Sequence, residues 1–430
     1  MRSLESPYAE APTQRRNRKH LPLLLQTLLL ASSTAAGQVI VAVVYILSAR
    51  SMGPEIFGPL VAAVGLGATL AGLIDFGSNS LSVREMAAKR MDLGGFGSRL
   101  SGKLLIGTAG LTLWAVTFFV FARDSFLWVA GPIAFSQLLG QSFVVPLRAR
   151  GRTDLLAAAT LIDRLTVACC FLVLHLMDFG PQHMLWVAMA AGPVVSASVT
   201  RWILARDQKP DLSWSVSVNP WRNAKHYGVS SAAVSAQSLD LTIMSLVGGA
   251  SVAGVYGAVN RWTQPMSLLA AAFTTSTAPL VAKMGSWRTA WPLLKRSSML
   301  IGGAVLLCVG VAVFSEPLVA VLVGSDFADS AAVLRILAVG TIGAVLNQPV
   351  AAFLQALGNE RAVSFITTSG VGIQLMLVAL LTWAMGSIGA ALAFAVLQTI
   401  ILTLLLVTIV VSRRRSLIVI GRHSRGVRGR

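Results

Sequence analysis

The sequence predicts an all-α polytopic membrane protein with about 12 transmembrane helices in two six-helix bundles around a central cavity. Three observations carry this prediction. First, 55% of the 430 residues are hydrophobic and the mean hydropathy is +0.72. Apolar stretches of about 20 residues recur from Leu21 almost to the C-terminus, each long enough to cross a hydrocarbon core of roughly 30 Å. Second, Lys and Arg outnumber Asp and Glu by 35 to 17, yet they avoid these stretches and gather in alternate gaps between them. Third, strand-like alternation over ten residues is absent, which excludes an outer-membrane barrel. Lipid offers no partner to an unpaired backbone group, so the spans must be helices.

In chain order the spans run 21–49, 56–80, 102–122, 126–147, 154–177, 183–205, 224–248, 251–281, 291–313, 329–356, 361–384 and 387–411. Residues 1–20 form a polar cytoplasmic tail with Arg15, Arg16, Arg18 and Lys19 just before the first span. That span outruns a signal-peptide core and is expected to be a retained helix. Ser51-Met52-Gly53-Pro54 separates the first two spans, and Gly180-Pro181 separates the fifth and sixth. Gly248-Gly249 and Gly386 punctuate the second half in the same way. Residues 206–223 form the longest polar gap and divide the helices into bundles 21–205 and 224–411, ahead of a basic tail at 412–430. Two halves of six suggest a duplicated transporter. Phe57-Gly58 and Tyr256-Gly257, aromatic-glycine pairs near the starts of spans two and eight, are the matching places in the two halves.

Charge tests this division. With the N-terminus inside, 30 of the 35 basic residues fall in the N-tail, in or at the edges of the gaps after even-numbered spans (Lys103 among them), and in the C-tail. Only Arg50 and Arg123 fall in outside gaps. One missed helix would invert everything downstream, so an even count with both ends cytoplasmic follows. The same scatter over seven short segments excludes a nucleic-acid partner, which needs one groove or recognition helix. Cys169, Cys170 and Cys308 lie inside apolar runs and read as small buried hydrophobes, and the five His residues show no metal-ligand spacing. No cofactor is expected. No Gly-Lys-Ser/Thr phosphate loop is present, and no outside segment can hold a catalytic domain; the longest runs from Phe314 to Phe327. An enzyme is therefore not expected.

Charges inside the spans are few. Arg261 lies about ten residues into span eight, where an unpaired Arg costs roughly 2.5–3.5 kcal/mol on insertion scales, so it must face a cavity or a partner. Its guanidinium fork suits the oxygens of an anionic substrate, while an ion pair or a snorkelling side chain is the structural alternative. Asp240 in span seven is either its counter-charge or a proton or cation site. Gln237 and Gln264 extend a polar stripe around this pair. Asp163 and Arg164 in span five are adjacent, so they do not share one face, and read as interhelical or snorkelling charges. Asp75, followed by Arg84-Glu85, marks a structural or gating region at the cytoplasmic mouth. Arg50 lies near the outer end of span one, lining a vestibule or sitting among headgroups. Asn347-Gln348-Pro349 combines amides with a helix-bending proline in span ten.

Several of these segments, in their order and spacing along the whole chain, resemble the polysaccharide flippases of the multidrug/oligosaccharidyl-lipid/polysaccharide exporter superfamily. They are Gly53-Pro54-Glu55-Ile56-Phe57-Gly58, Leu73-Ile74-Asp75-Phe76-Gly77, Arg84-Glu85, Ala253-Gly254-Val255-Tyr256-Gly257-Ala258-Val259-Asn260-Arg261, Leu334-Arg335-Ile336-Leu337 and Gln355-Ala356-Leu357-Gly358-Asn359. The resemblance implies twelve helices around a V-shaped cavity, without an ATPase domain. It implies alternating-access translocation of undecaprenyl-pyrophosphate-linked oligosaccharide across the bacterial inner membrane, for exopolysaccharide, capsule or O-antigen synthesis. Its implied partners are membrane lipids, a polysaccharide polymerase and chain-length machinery. It assigns Arg261, with Arg50 second, to pyrophosphate or acidic sugar, and leaves Gln264 and Asn347 as further substrate contacts. A cation-coupled exporter of small amphiphiles and a non-transporting partner of a synthase are the alternatives.

Overall fold

The computed structural model describes residues 23–204, 219–263 and 287–427 apart from 357, together with 210, 212, 265, 266, 270 and 274. The described residues are helical almost throughout, with no strand among them. Helix α1 (Leu23–Asp75) holds the first two predicted spans in two limbs broken at Gly53. A single straight helix of 53 residues would be roughly 80 Å long, far more than one crossing needs. Gly53 turns the chain back with φ 69° and ψ 169°, a backbone region open to glycine alone, and Pro54 starts the second limb. The last two spans share the same design in α14 (Glu360–Val427), whose limbs meet at Gly386 with φ 61°. Its helix continues to Val427, so the basic segment after 411 prolongs the last helix, while the stretch apolar enough to cross ends at Val411.

Between these lie α2 (Ser78–Ala87), α3 (Leu93–Phe121), α4 (Ala130–Phe143), α5 (Val145–Ala149), α6 (Thr153–Leu176) and α7 (Pro181–Ile203). The second half contributes α8 (Lys225–Ala236), α9 (Asp240–Val247), α10 (Ala250–Asn260), α11 (Trp287–Val313), α12 (Ser315–Leu322) and α13 (Ser330–Ala356). Helices α8 and α9 with the 3-10 turn Gln237–Leu239 make span seven. Span eight begins as α10, and most of its predicted inner half lies outside the described residues.

Two expectations need correction. Helix α3 begins at Leu93 and not near 102, because Asp92 caps it by accepting from the Gly95 amide at 2.8 Å. Lys103, read as a loop cation marking the cytoplasmic side, therefore lies a third of the way into a helix and is buried. The segment 314–327 is not an outside loop. Its apolar residues fold back as α12, bent by 74° from the preceding helix, and bury Val319, Val323 and Phe327 in the core. Eight residues rise only about 12 Å, too short to cross, so tucking under the outer surface is how this stretch hides its apolar side.

The packing is that of a protein solvated by lipid. Leu113, Val116 and Val120 of α3 and Leu172 and Leu176 of α6 are exposed, with no water-soluble face to offset them. Cys169, expected to be buried, is exposed on the same outer surface of α6, while Cys308 is buried. At the ends of α3 and α7 that the charge pattern assigns to the outside, Phe119, Trp128 (in the 3-10 turn Leu127–Val129 just before α4) and Trp186 make edge-to-face contacts at 5.5 and 5.3 Å. Such aromatic collars form at membrane–water boundaries.

Candidate functional site

The second limb of α1 carries the join between the two halves of the chain. It runs antiparallel to α8 and α9, and its small residues Gly58, Ala62, Gly65, Thr69 and Gly72 alternate by four and three along one helical face. Thr69 Oγ1 donates to the Ser235 carbonyl at 3.0 Å, and Thr242 Oγ1 donates back to the Ala62 carbonyl at 3.0 Å. A Cβ at Gly65 would lie 2.7 Å from the Ser238 carbonyl oxygen, so the backbones meet with nothing between them.

The outer turns close this join reciprocally. A Cβ at Gly58 would collide with the Ala250 carbonyl, and one at Gly254 would collide with the Pro54 carbonyl. Gly58 is five positions after Gly53, and Gly254 is five positions after Gly249. Gly249 repeats the glycine-only turn of Gly53, with φ 90° and ψ 175°. The two halves thus correspond with Gly58 matched to Gly254. Pairing Phe57-Gly58 with Tyr256-Gly257, as the sequence suggested, is three residues out of register. In the correct register Arg261 answers to Gly65, and Tyr45 answers to Leu241.

Beneath the turns lies an aromatic plug. Phe57 stands edge-on to Tyr45 at 6.1 Å and to Phe327 at 6.3 Å, and all three rings are fully buried. Arg261 lies below it, about 16 Å along the helix from Ala250, roughly half the thickness of a bilayer core. Its Nη2 donates to Tyr45 Oη at 3.2 Å, and the guanidinium carbon is 4.8 Å from the Tyr45 ring centroid. The Arg261 charge also acts on Asp240, whose Oδ1 accepts from the Leu241 amide at 2.7 Å. The structure therefore brings Arg261 and Asp240 together. The symmetric crossing, Gly65 on Leu241, is apolar.

The remaining predicted residues are elsewhere. Arg50 is exposed at the outer end of the first limb of α1, and Gln264 lies outside the described residues. Asn347 Nδ2 donates to the carbonyl and side-chain oxygens of Gln398 at 3.0 and 2.9 Å, tying α13 to α14. Asp163 and Arg164 were expected to diverge as neighbours, but their side chains meet at 3.6 Å, with the Arg164 stem lying over Gly37 of α1. Asp75 pairs with Lys103 at 2.8 Å, and Arg84 reaches Tyr227 at 3.1 Å. Glu85 accepts two hydrogen bonds from Arg90, which hold its carboxyl below the usual range. Tyr45, Lys103 and Tyr227 were missed. The one available signal was an acid inside span two, Asp75, that lacked a stated partner. Among the described residues no three His, Cys, Asp or Glu side chains gather to hold a metal ion.

No family model and no curated protein matches the chain. Solved structures do. An inward-facing multidrug resistance MATE family transporter of the MOP superfamily aligns with 91% of this chain and 97% of its own, at TM-score 0.66 and 15% identity. The lipid II flippase MurJ in an inward closed conformation aligns over 89% and 87%, at TM-score 0.69 and 12% identity. An outward-facing MATE family transporter aligns over 88% and 93%, at TM-score 0.57 and 18% identity. The chain has the two-bundle helical fold of MOP superfamily transporters, the multidrug/oligosaccharidyl-lipid/polysaccharide exporters.

Proposed function

We propose that this multi-pass membrane protein moves lipid-linked oligosaccharide repeat units across the bacterial inner membrane by alternating access, for exopolysaccharide, capsule or O-antigen synthesis. The observation that supports this reading is the placement of Arg261. A guanidinium held near the bilayer centre, directly under a sealed outer turn, offers a planar donor fork to a phosphate or acidic sugar. Between bundles 21–205 and 224–411 the headgroup reaches this cation from the cytoplasmic side while the lipid tail stays in the bilayer. Rocking of the bundles about the α1–α8 join then opens the outer turns. Both termini are cytoplasmic in this reading, and the product passes to a polymerase and chain-length machinery.

A second reading, cation-coupled export of small amphiphiles, draws on Asp240, a carboxylate in a predicted span beside Arg261. The MATE likeness fits it as well as the MurJ likeness fits the first. Reconstitution separates them. Vesicles holding the purified protein are expected to translocate an undecaprenyl-pyrophosphate-linked oligosaccharide, scored by access of an external glycosidase. Failure to move any lipid-linked sugar, with uptake of an amphiphilic cation under an ion gradient, would replace the first reading by the second.

A further inference from the structure

At the inner end of the α1–α8 join, four buried side chains form a closed knot. Lys103 Nζ meets Asp75 Oδ1 at 2.8 Å, Asn79 Oδ1 at 2.8 Å and Ser78 Oγ at 3.0 Å. Ser78 Oγ also donates to Asp75 Oδ1 at 3.1 Å, and the Asn79 backbone N–H donates to Asp75 Oδ2 at 3.4 Å. Every donor of the ammonium is used. Lys103 is 2% exposed and Asp75 5%, so neither ion is solvated by water.

The knot brackets an unusual piece of backbone. Between Asp75, which ends α1, and Ser78, which starts α2, both Phe76 (φ 41°) and Gly77 (φ 69°) are left-handed. A phenylalanine persists in that region only where its surroundings over-determine it. Asp75 and Ser78 are the two ends of the turn, and Lys103 binds both.

What the turn does is meet the other half of the chain. The Phe76 ring occupies the place a Cβ on Gly228 would take, and Gly77 abuts the Tyr227 backbone. About two helical turns further along, Arg84 Nη1 donates to Tyr227 Oη at 3.1 Å, and just before the turn Trp221 Nε1 donates to the Ile74 carbonyl at 2.8 Å. A carbonyl at the end of α1 is thus satisfied by a residue from the segment joining the two bundles. Burying an ion pair is a poor route to stability by itself, since well-packed apolar residues commonly serve as well. A lysine bound to both ends of one strained turn has a geometric use that apolar residues lack.

We infer that the Lys103–Asp75–Ser78–Asn79 knot is a positioning site for closing the cytoplasmic ends of the two bundles, holding the Phe76–Gly77 turn in the shape that docks on Tyr227–Gly228. The inference rests on the alternating-access reading but not on the identity of the substrate. Its test is a distance. In the full chain in lipid nanodiscs, with Cys169, Cys170 and Cys308 replaced by alanine, spin labels at A88C and K225C report the inner ends, and labels at E55C and S251C the outer ends. K103M is expected to lengthen the inner distance by about one helical turn, ~5 Å, and to leave the outer distance unchanged. The double variant D75N/K103M removes both charges and so leaves no uncompensated ion. It is expected to restore protein yield while the inner distance stays long. A wild-type inner distance in either variant overturns the inference, because the knot would then supply charge neutrality alone. Loss of lipid-linked sugar transport in vesicles bears on the substrate and leaves the distances unaffected.

Discussion

Gly58→Leu is expected to abolish transport and to hold the outer ends of the bundles apart. At this position a Cβ meets the Ala250 carbonyl and the Gly254 amide, which are backbone atoms of a helix start. A clash with a flexible side chain can be relieved by a new rotamer, but these atoms can withdraw only if α10 itself moves. Overpacking of this kind costs about 1–3 kcal/mol where neighbours adjust, and here the easiest adjustment is opening the outer turns. A bias of about 3 kcal/mol shifts the closed-to-open ratio by roughly 10²-fold. Gly254→Leu is expected to act in the same way through Pro54, because the contact is reciprocal. Leucine at Gly302 or Gly303, where a Cβ would find open space, is the matched control and is expected to transport normally. The measurement is the distance between labels at E55C and S251C, taken with transport in vesicles. A wild-type distance in both glycine variants would remove the outer turns from the gating scheme.

The sequence made the spans legible because lipid imposes one constraint on every crossing, and apolar length with charged gaps reports it directly. Gly53-Pro54 and Gly386 were legible as breaks for a similar reason, since their chemistry is local. Lys103 was not. A lysine directly after Ser101-Gly102 reads as a loop cation, and only the Asp92 cap pulls the helix back far enough to bury it. The partner of Asp75 is 28 residues away in another helix, and no spacing rule reaches that far. The register of the two halves failed for a different reason. The aromatic-glycine pairs are conspicuous letters, whereas the true correspondence is set by glycines whose importance is the absence of a side chain at a backbone contact. Arg261 was legible as a cost, a cation in the membrane interior. Its setting was not, because Tyr45 is 216 residues distant and reads as an ordinary apolar residue of span one.

Arg261→Ala is expected to reduce headgroup translocation by about 10²-fold, on the scale of about 1.5–3 kcal/mol for hydrogen bonds to a charged group. Arg261→Lys keeps the charge and loses the fork, so an intermediate loss of about tenfold is expected if the ligand is a phosphate read by paired donors. Tyr45→Phe keeps the ring under the guanidinium and removes only the hydroxyl acceptor, and is expected to change transport little. The series therefore separates recognition by Arg261 from the packing around it. For an amphiphilic-cation exporter the order reverses: Arg261→Ala leaves export intact, and Asp240→Asn abolishes it. The alanine variant relieves an insertion cost of roughly 2.5–3.5 kcal/mol but leaves Asp240 without its cationic neighbour, so protein content is matched before translocation is compared. Translocation per molecule, measured in vesicles of equal protein content, then reads the contribution of the guanidinium to transport alone.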